Sequence, residues 1–309
     1  MKAIITGATG FIGTALCREM LQNGHEVVAV IRPGSAKKEK LQFDESIRGG
    51  LSVLEMPLGE LEDLAAMVSD ADVFFHLAWN GSSGGAREDF DAQYANIRYT
   101  AAAVRVAKKC GCRKFVGAGS QAEYGVVQGT AEEDRTPPNP FMMYGAAKLS
   151  ACHMGRLVAE QEGIAYVWPR IYSVYGVGEN PGTLVNYVMD TLRKGEIPEL
   201  SPCENIWNFL YITDCVRGLR MLAENENIRG IFHIASKDTR LLKEYVAEMR
   251  DMIAPGAELR FGAKQANPER TFWLQPDVTK LEKIGFQPEV SFAEGIRRKM
   301  EEVLFRHAD

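Results

Sequence analysis

Lys2-Ala-Ile-Ile-Thr6-Gly7-Ala8-Thr9-Gly10-Phe11-Ile12-Gly13 is the stretch from which the fold of this chain is read. A short β-branched run leads into three glycines spaced three apart, then into an amphipathic stretch from Thr14 to Asn23 that stops at Gly24. That order predicts strand, tight turn and helix. Gly7 permits the turn, Gly10 lets backbone amides approach a pyrophosphate at the helix N-terminus, and Gly13 lets the helix pack closely on the strand. A second strand is predicted over residues 26–31, directly after the helix, so the pattern reads as a dinucleotide-binding unit.

Outward from that unit the alternation continues. Strands are predicted over 51–55, 72–78, 113–118 and 164–169, and helices over 61–68, 89–110 and in the stretch 140–149 after its opening proline. Strand and helix alternating six times predict an α/β fold with a doubly wound parallel sheet, the Rossmann arrangement. After Gly176 the regularity falls, with helices predicted to about Lys194 and Asn225, over 241–252 and over 291–303, and a short strand over 231–235. We read residues 1–176 as an NAD(P)-binding domain to which about 205–235 return, and 177–309 as mainly a smaller C-terminal α/β substrate-binding cap.

Composition removes several function classes. A chain of 309 residues, 46% hydrophobic, can bury a large core. Its net charge of -5 and lack of any long basic run argue against a nucleic-acid partner. No apolar run approaches 18 residues, so no membrane partner is expected, and the opening run reads as a strand, so no leader is expected. The six cysteines show no paired framework, and Cys110-Gly-Cys112 lacks the spacing and second ligand pair of a zinc site. No metal is expected, and reduced thiols fit the cytoplasm.

Chemistry-bearing residues gather at predicted strand ends and on one helix. The second strand ends in Arg32-Pro-Gly-Ser35 with no acid, the arrangement expected for a ribose 2′-phosphate, so NADP is preferred and NAD is the alternative. The fourth strand ends in Leu77-Ala78-Trp79, and His76 inside its apolar run is expected to be a hydrogen-bonded structural residue. Tyr144 and Lys148 lie four apart and share one helix face, where a lysine ammonium is expected to lower the phenol pKa toward usefulness as an acid/base.

With Gly7, Gly10 and Gly13, Asn96, Ser120, Tyr144-x-x-x-Lys148 and Arg170-Ile-Tyr-Ser-Val-Tyr-Gly176 at these spacings, the whole chain resembles the extended short-chain dehydrogenase/reductase family. These are nucleotide-sugar epimerases, dehydratases and reductases. The resemblance implies Tyr144 as acid/base, Lys148 on the nicotinamide ribose, and Ser120 on the reacting sugar oxygen. It implies a cofactor path along Gly7, Thr9, Gly10, Phe11, Ile12, Gly13, Arg32, Ser35, Leu58, Leu77, Ala78, Trp79, Asn96, Tyr144, Lys148 and Tyr172. Where the dehydratases carry an Asp-Glu pair after the catalytic hydroxyl, this chain has Gln121 and Ala122, so dehydration and decarboxylation are disfavoured. Glu123, one position on, reads as structural.

Hydride transfer at C4 of a nucleotide-sugar remains. The expected activity is reduction of an NDP-4-keto-6-deoxyhexose, closest in type to the 4-ketoreductases; the alternative is a 4-epimerase with bound NAD, and a less favoured one is a non-catalytic NADP-binding regulator. Trp207 stands where many members have an arginine for the diphosphate, which leaves Arg270 for that task. Gln121, Ser173 and Trp207 are further substrate candidates, and the family implies a homodimer.

Overall fold

A computed structural model describes residues 1–44, 47–265 and 273–306. Seven strands lie parallel in one sheet: β1 Lys2–Thr6, β2 Glu26–Ile31, β3 Leu51–Glu55, β4 Val73–His76, β5 Lys114–Gly117, β6 Ala165–Ile171 and β7 Gly230–Ile234. Their spatial order is β3-β2-β1-β4-β5-β6-β7, and the two-residue strand Gly119–Ser120 also pairs with β6. Strand order reverses between β1 and β4, the place where doubly wound sheets open a crevice at their carboxyl ends. The strands read as nearly continuous apolar runs because helices cover the sheet.

Three helices carry the chemistry-bearing residues of the first half of the chain: α1 Phe11–Gln22, α2 Phe90–Lys109 and α3 Met143–Glu162. Asp89 caps α2 by accepting the Ala92 N–H at 3.0 Å, and Gly163 ends α3 in the left-handed conformation. The expected helix over 61–68 is instead a 3-10 turn, Leu58–Asp63, followed by a single turn, Leu64–Met67. Pro57 starts it, and Glu60 departs from helical geometry, so too few consecutive residues remain for a regular helix.

The chain divides into two units, Met1–Gly125 with Thr136–Ile171 and Val216–Ile234, and Val126–Arg135 with Tyr172–Cys215 and Ala235–Asp309. The segment that returns to the first unit is therefore shorter than the expected 205–235. Residues 126–135 join the second unit because Thr130 and Ala131 pair in parallel with Gln275 and Pro276.

Packing in the first unit is led by aromatic rings stacked across β4, β5 and β6 and along β6 itself. Phe74 meets Phe115 at 5.8 Å, Phe115 meets Tyr166 at 5.6 Å, and Tyr166 meets Trp168 at 5.9 Å. Trp168 fits because Gly117 and Gly119 carry no side chain; a Cβ on either would lie 2.4 Å from its ring. The second unit has its own three-stranded sheet, Thr239–Leu241, Ile206–Tyr211 and Ser173–Tyr175 in that order. Helices Leu184–Arg193, Leu242–Ile253 and Phe292–Arg306 complete it around Tyr175, Phe209, Tyr245 and Phe292.

Candidate active site

The glycine turn has the shape its sequence calls for. Gly7 has φ +71, and a Cβ there would lie 2.7 Å from the Ala78 nitrogen and 2.9 Å from the Leu77 carbonyl carbon. A Cβ on Gly13 would sit 2.1 Å from the Gly7 oxygen. Gly10 donates to the Gly7 carbonyl at 2.9 Å and serves as the N-cap of α1, with no side chain bonded to that end and no acid in its first turn. The first amides of a helix have no intrahelical acceptor and carry the positive end of its dipole. Thr9, Gly10, Phe11 and Ile12 thus surround an open helix end suited to a pyrophosphate. Leu77 and Ala78 form the opposite wall of this corner.

Beneath it, His76 is 3% exposed and its Nδ1 lies 3.0 Å from the Thr6 hydroxyl. Burial, and then the charge of Lys148, push its pKa down to about 3, so it is neutral and structural as expected. The Thr6 hydroxyl also takes the Ala78 N–H at 3.4 Å, which ties the β1 end to the β4 end.

The catalytic candidates converge in the first unit. Ser120 ends the short strand paired with β6, and its hydroxyl accepts the Ala122 N–H at 3.2 Å. The Glu123 carboxylate returns to accept the Ser120 N–H at 2.8 Å, a reciprocal cap that fixes the serine. Glu123 is fully buried; it also accepts from Trp168 at 2.9 Å and pairs with the buried Arg170 at 2.7 Å. It is a structural anchor, as its position suggested.

Tyr144 and Lys148, one turn apart on α3, differ from expectation in their electrostatics. Burial raises the Tyr144 pKa, and this outweighs a hydrogen bond with Ser120 and the field of Arg87. Lys148 does not lower it. Lys148 is itself 4% exposed, and burial draws its pKa down to about 7. It donates to the Ala118 carbonyl at 2.7 Å, and lies 3.6 Å from the centre of the Trp79 ring but 5.7 Å from that of Tyr144. Spacing on a helix brings the pair to one face; desolvation decides their charge.

The other candidates are distributed between the two units. Asn96 is buried, and its amide both accepts from and donates to the Asn80 backbone, at 3.0 and 2.8 Å, so its visible work is to clamp the loop after β4. Arg32 is exposed at the end of β2, Ser35 follows in the same loop, and Leu58 opens the 3-10 turn after β3. Gln121 is half-buried beside Ser120. Tyr172, Ser173 and Trp207 belong to the second unit. There Trp207 packs against Tyr172, Ala235, Leu274 and Val278. Arg270 lies outside the described residues. Among the described residues no cluster of potential metal ligands occurs, and no helix is long and apolar enough to cross a membrane.

The profile of the NAD dependent epimerase/dehydratase family matches residues 3–235. The chain belongs to that family. It is an enzyme of the extended short-chain dehydrogenase/reductase type. An uncharacterized UDP-glucose epimerase of Bacillus subtilis is 25% identical over 97% of both chains. A dTDP-6-deoxy-L-talose 4-dehydrogenase (NAD(P)(+)) of Kitasatospora kifunensis is 24% identical, covering 96% of this chain and 93% of its own. The structure resembles that of a UDP-glucuronic acid 4-epimerase from Bacillus cereus, solved with UDP-glucuronic acid and NAD, with a TM-score of 0.84 and 24% identity over 99% of this chain and 100% of the other.

Two residues of this family member escaped sequence reading. Glu55 ends β3 opposite Ile31 of β2, and its carboxylate accepts the Gly34 N–H at 3.1 Å and the Lys38 ammonium at 2.8 Å. Those contacts hold its pKa below the usual carboxylate range. The corner expected to lack an acid therefore has one, supplied across the sheet. The β2–β3 register could have revealed it. Arg87 is the second, with its guanidinium 4.4 Å from the centre of the Tyr144 ring. A loop rich in Gly and Ser gave no signal for it.

Proposed function

We propose that the protein reduces the C4 ketone of a nucleotide-linked 4-keto-6-deoxyhexose. The observation that carries this reading is a protonated phenol, Tyr144, hydrogen-bonded to Ser120 beside an acid, Glu123, that is committed to Arg170. Elimination and decarboxylation need a free acid next to the catalytic hydroxyl, and Ala122 and the locked Glu123 supply none. A phenol whose pKa is raised keeps its proton at neutral pH, which suits a donor to a ketone.

A nicotinamide dinucleotide fits the turn, because side chains at Gly7 or Gly13 would fill it and the α1 end has no acid of its own. Thr9, Gly10, Phe11 and Ile12 would hold its pyrophosphate, and Leu58, Leu77, Ala78 and Trp79 would line its path. When bound, the cofactor supplies the hydride. Ser120, whose oxygen accepts the Ala122 N–H and whose hydroxyl is hydrogen-bonded to Tyr144, would turn its proton to the sugar oxygen when substrate is bound. Tyr144 gives that oxygen its proton as the ketone becomes an alcohol, and Lys148 would hold the nicotinamide ribose. Glu55, a carboxylate against the loop of Arg32 and Ser35, supports NAD over the NADP expected from that loop alone, since a 2′-phosphate would meet like charge. Dissociation constants measured for NADH and NADPH test this; tighter NADPH binding sinks it.

Gln121, Ser173 and Trp207 stand as substrate contacts whose truncation should raise KM more than it lowers kcat. Arg270 stands as a diphosphate partner. A 4-epimerase with bound NAD is the second reading, favoured by the named activity of the Bacillus subtilis relative. Net NADH consumption with a 4-keto sugar selects the reductase; interconversion of two sugar alcohols without added cofactor selects the epimerase. Tyr144→Phe should leave cofactor affinity unchanged and lower turnover about 10²- to 10⁴-fold, and a variant near the wild-type rate removes both readings. Six buried free thiols support a reducing compartment, the cytoplasm. A second copy of the chain is the proposed partner, through Phe90, Tyr94, Met154 and Leu157, all exposed on α2 and α3.

A further inference from the structure

The segment after Trp79 is built with more precision than a surface loop requires. The buried Gln93 side chain takes the Trp79 indole N–H at 2.9 Å and donates to the carbonyls of Gly81 and Ala86 at 2.8 and 3.0 Å. Gly81, at φ +70, has no room for a side chain, since a Cβ would lie 2.4 Å from the Ala86 oxygen. The 3-10 turn Gly84–Glu88, next in the chain, is thereby set against the start of α3, where Glu88 accepts the Met143 N–H at 3.2 Å. Arg87 sits between these fixed points.

Arg87 is half-buried, has no carboxylate partner among the described residues, and its Nε is buried without a hydrogen bond. A guanidinium nitrogen buried without an acceptor needs an explanation. What it faces is the Tyr144 ring.

We propose that Arg87 is a positioning residue for the proton transfer, stabilising the Tyr144 phenolate and fixing the ring's orientation from 4.4 Å. As the phenol O–H bond breaks and its proton passes to the sugar oxygen, negative charge is left on the ring system that the guanidinium faces. Ser120 stabilises the phenolate through a hydrogen bond, but no other group around the phenol brings a positive charge to it. Ser120 is neutral, Glu123 has the wrong sign and is paired with Arg170, and Glu88 is turned to the Met143 amide. Lys148 is directed to Ala118 and Trp79 and is close to losing its proton at neutral pH.

The inference rests on Tyr144 as the acid of the proposed reaction, so its test is made independent of turnover. Protein labelled with ¹³C at the tyrosine ring carbon bearing oxygen is titrated by NMR to pH 11, with Tyr144→Phe assigning the signal. Arg87→Leu should move the Tyr144 midpoint upward by about 1 unit, and Arg87→Lys should restore most of the shift, while the other tyrosine signals stay in place. Arg87→Gln gives the same reading if the leucine variant does not fold. Coincident Tyr144 curves in wild type and the neutral variants, including a phenol that stays protonated in all of them to pH 11, overturn the proposal. A shifted midpoint without reduction of any sugar would sink the reductase reading alone; sugar reduction with coincident curves would sink the role of Arg87 alone.

Discussion

An ammonium buried with one carbonyl and one indole face for company is costly, and Lys148 shows the consequence in its lowered pKa of about 7. Between pH 7 and 10.5 the unfolded chain keeps a proton there that the folded chain has shed, so stability rises with pH across that window. Below pH 7 both states are charged and the full penalty of burial is present. Denaturant unfolding of wild type and Lys148→Met at pH 7 and pH 9 should show wild type gaining on the variant by up to about 1.4 kcal/mol per pH unit. Equal slopes would mean that Lys148 stays charged in the fold. Glu123 shows the opposite case, an acid beside the catalytic candidate Ser120 whose charge is spent on structure, as the sequence suggested. Both of its oxygens are engaged, by Trp168 and Ser120 on one and Arg170 on the other.

At the scale of elements, the β1–α1 turn joins sequence to cofactor most directly. Gly13 lies inside a helix, where glycine normally weakens the structure by about 0.5–1 kcal/mol relative to alanine. Here the exchange should go the other way, because the new methyl would meet the Gly7 carbonyl oxygen at 2.1 Å, and that oxygen belongs to backbone held by the turn. Gly13→Ala should lower the unfolding midpoint and weaken NADH binding at least 10-fold, since a shift of α1 moves the amides that meet the pyrophosphate. Calorimetry with and without NADH reads both effects. A variant as stable and as tight-binding as wild type would show that the turn relaxes at no cost. The neighbouring element boundaries follow from equally local causes: strands 2–6, 26–31 and 51–55 begin and end where their sequences predict. The helix expected over 61–68 failed because apolar periodicity does not report how few residues Pro57 and the departure at Glu60 leave for regular turns.

For the molecule as a whole, α2 and α3 pack together and carry Phe90, Tyr94, Met154 and Leu157 at exposures of 64, 57, 50 and 49%. Phe90 and Tyr94 stack at 6.0 Å in the open. Apolar groups this exposed favour burial against a partner. Light scattering should give twice the mass of a 34.3 kDa chain, and Tyr94→Lys with Met154→Lys should give the single-chain mass. A wild-type monomer at micromolar concentration would end the dimer proposal. The sequence by itself determined the parallel doubly wound sheet, the glycine turn and the placing of Tyr144 and Lys148 one turn apart on a single helix, because periodicity, glycine conformation and helix spacing act over a few residues. It also placed His76 correctly, since an imidazole inside an apolar strand has to find a hydrogen bond. The tertiary structure alone decided which charges meet: Glu55 comes to the β2 loop through strand register, Arg87 comes to Tyr144 through a folded-back turn, and residues 126–135 join the second unit through a two-residue pairing. It also made burial, which raises the Tyr144 pKa, outweigh the lowering expected from Lys148. Desolvation depends on everything packed around a group, and no spacing along the chain encodes that sum.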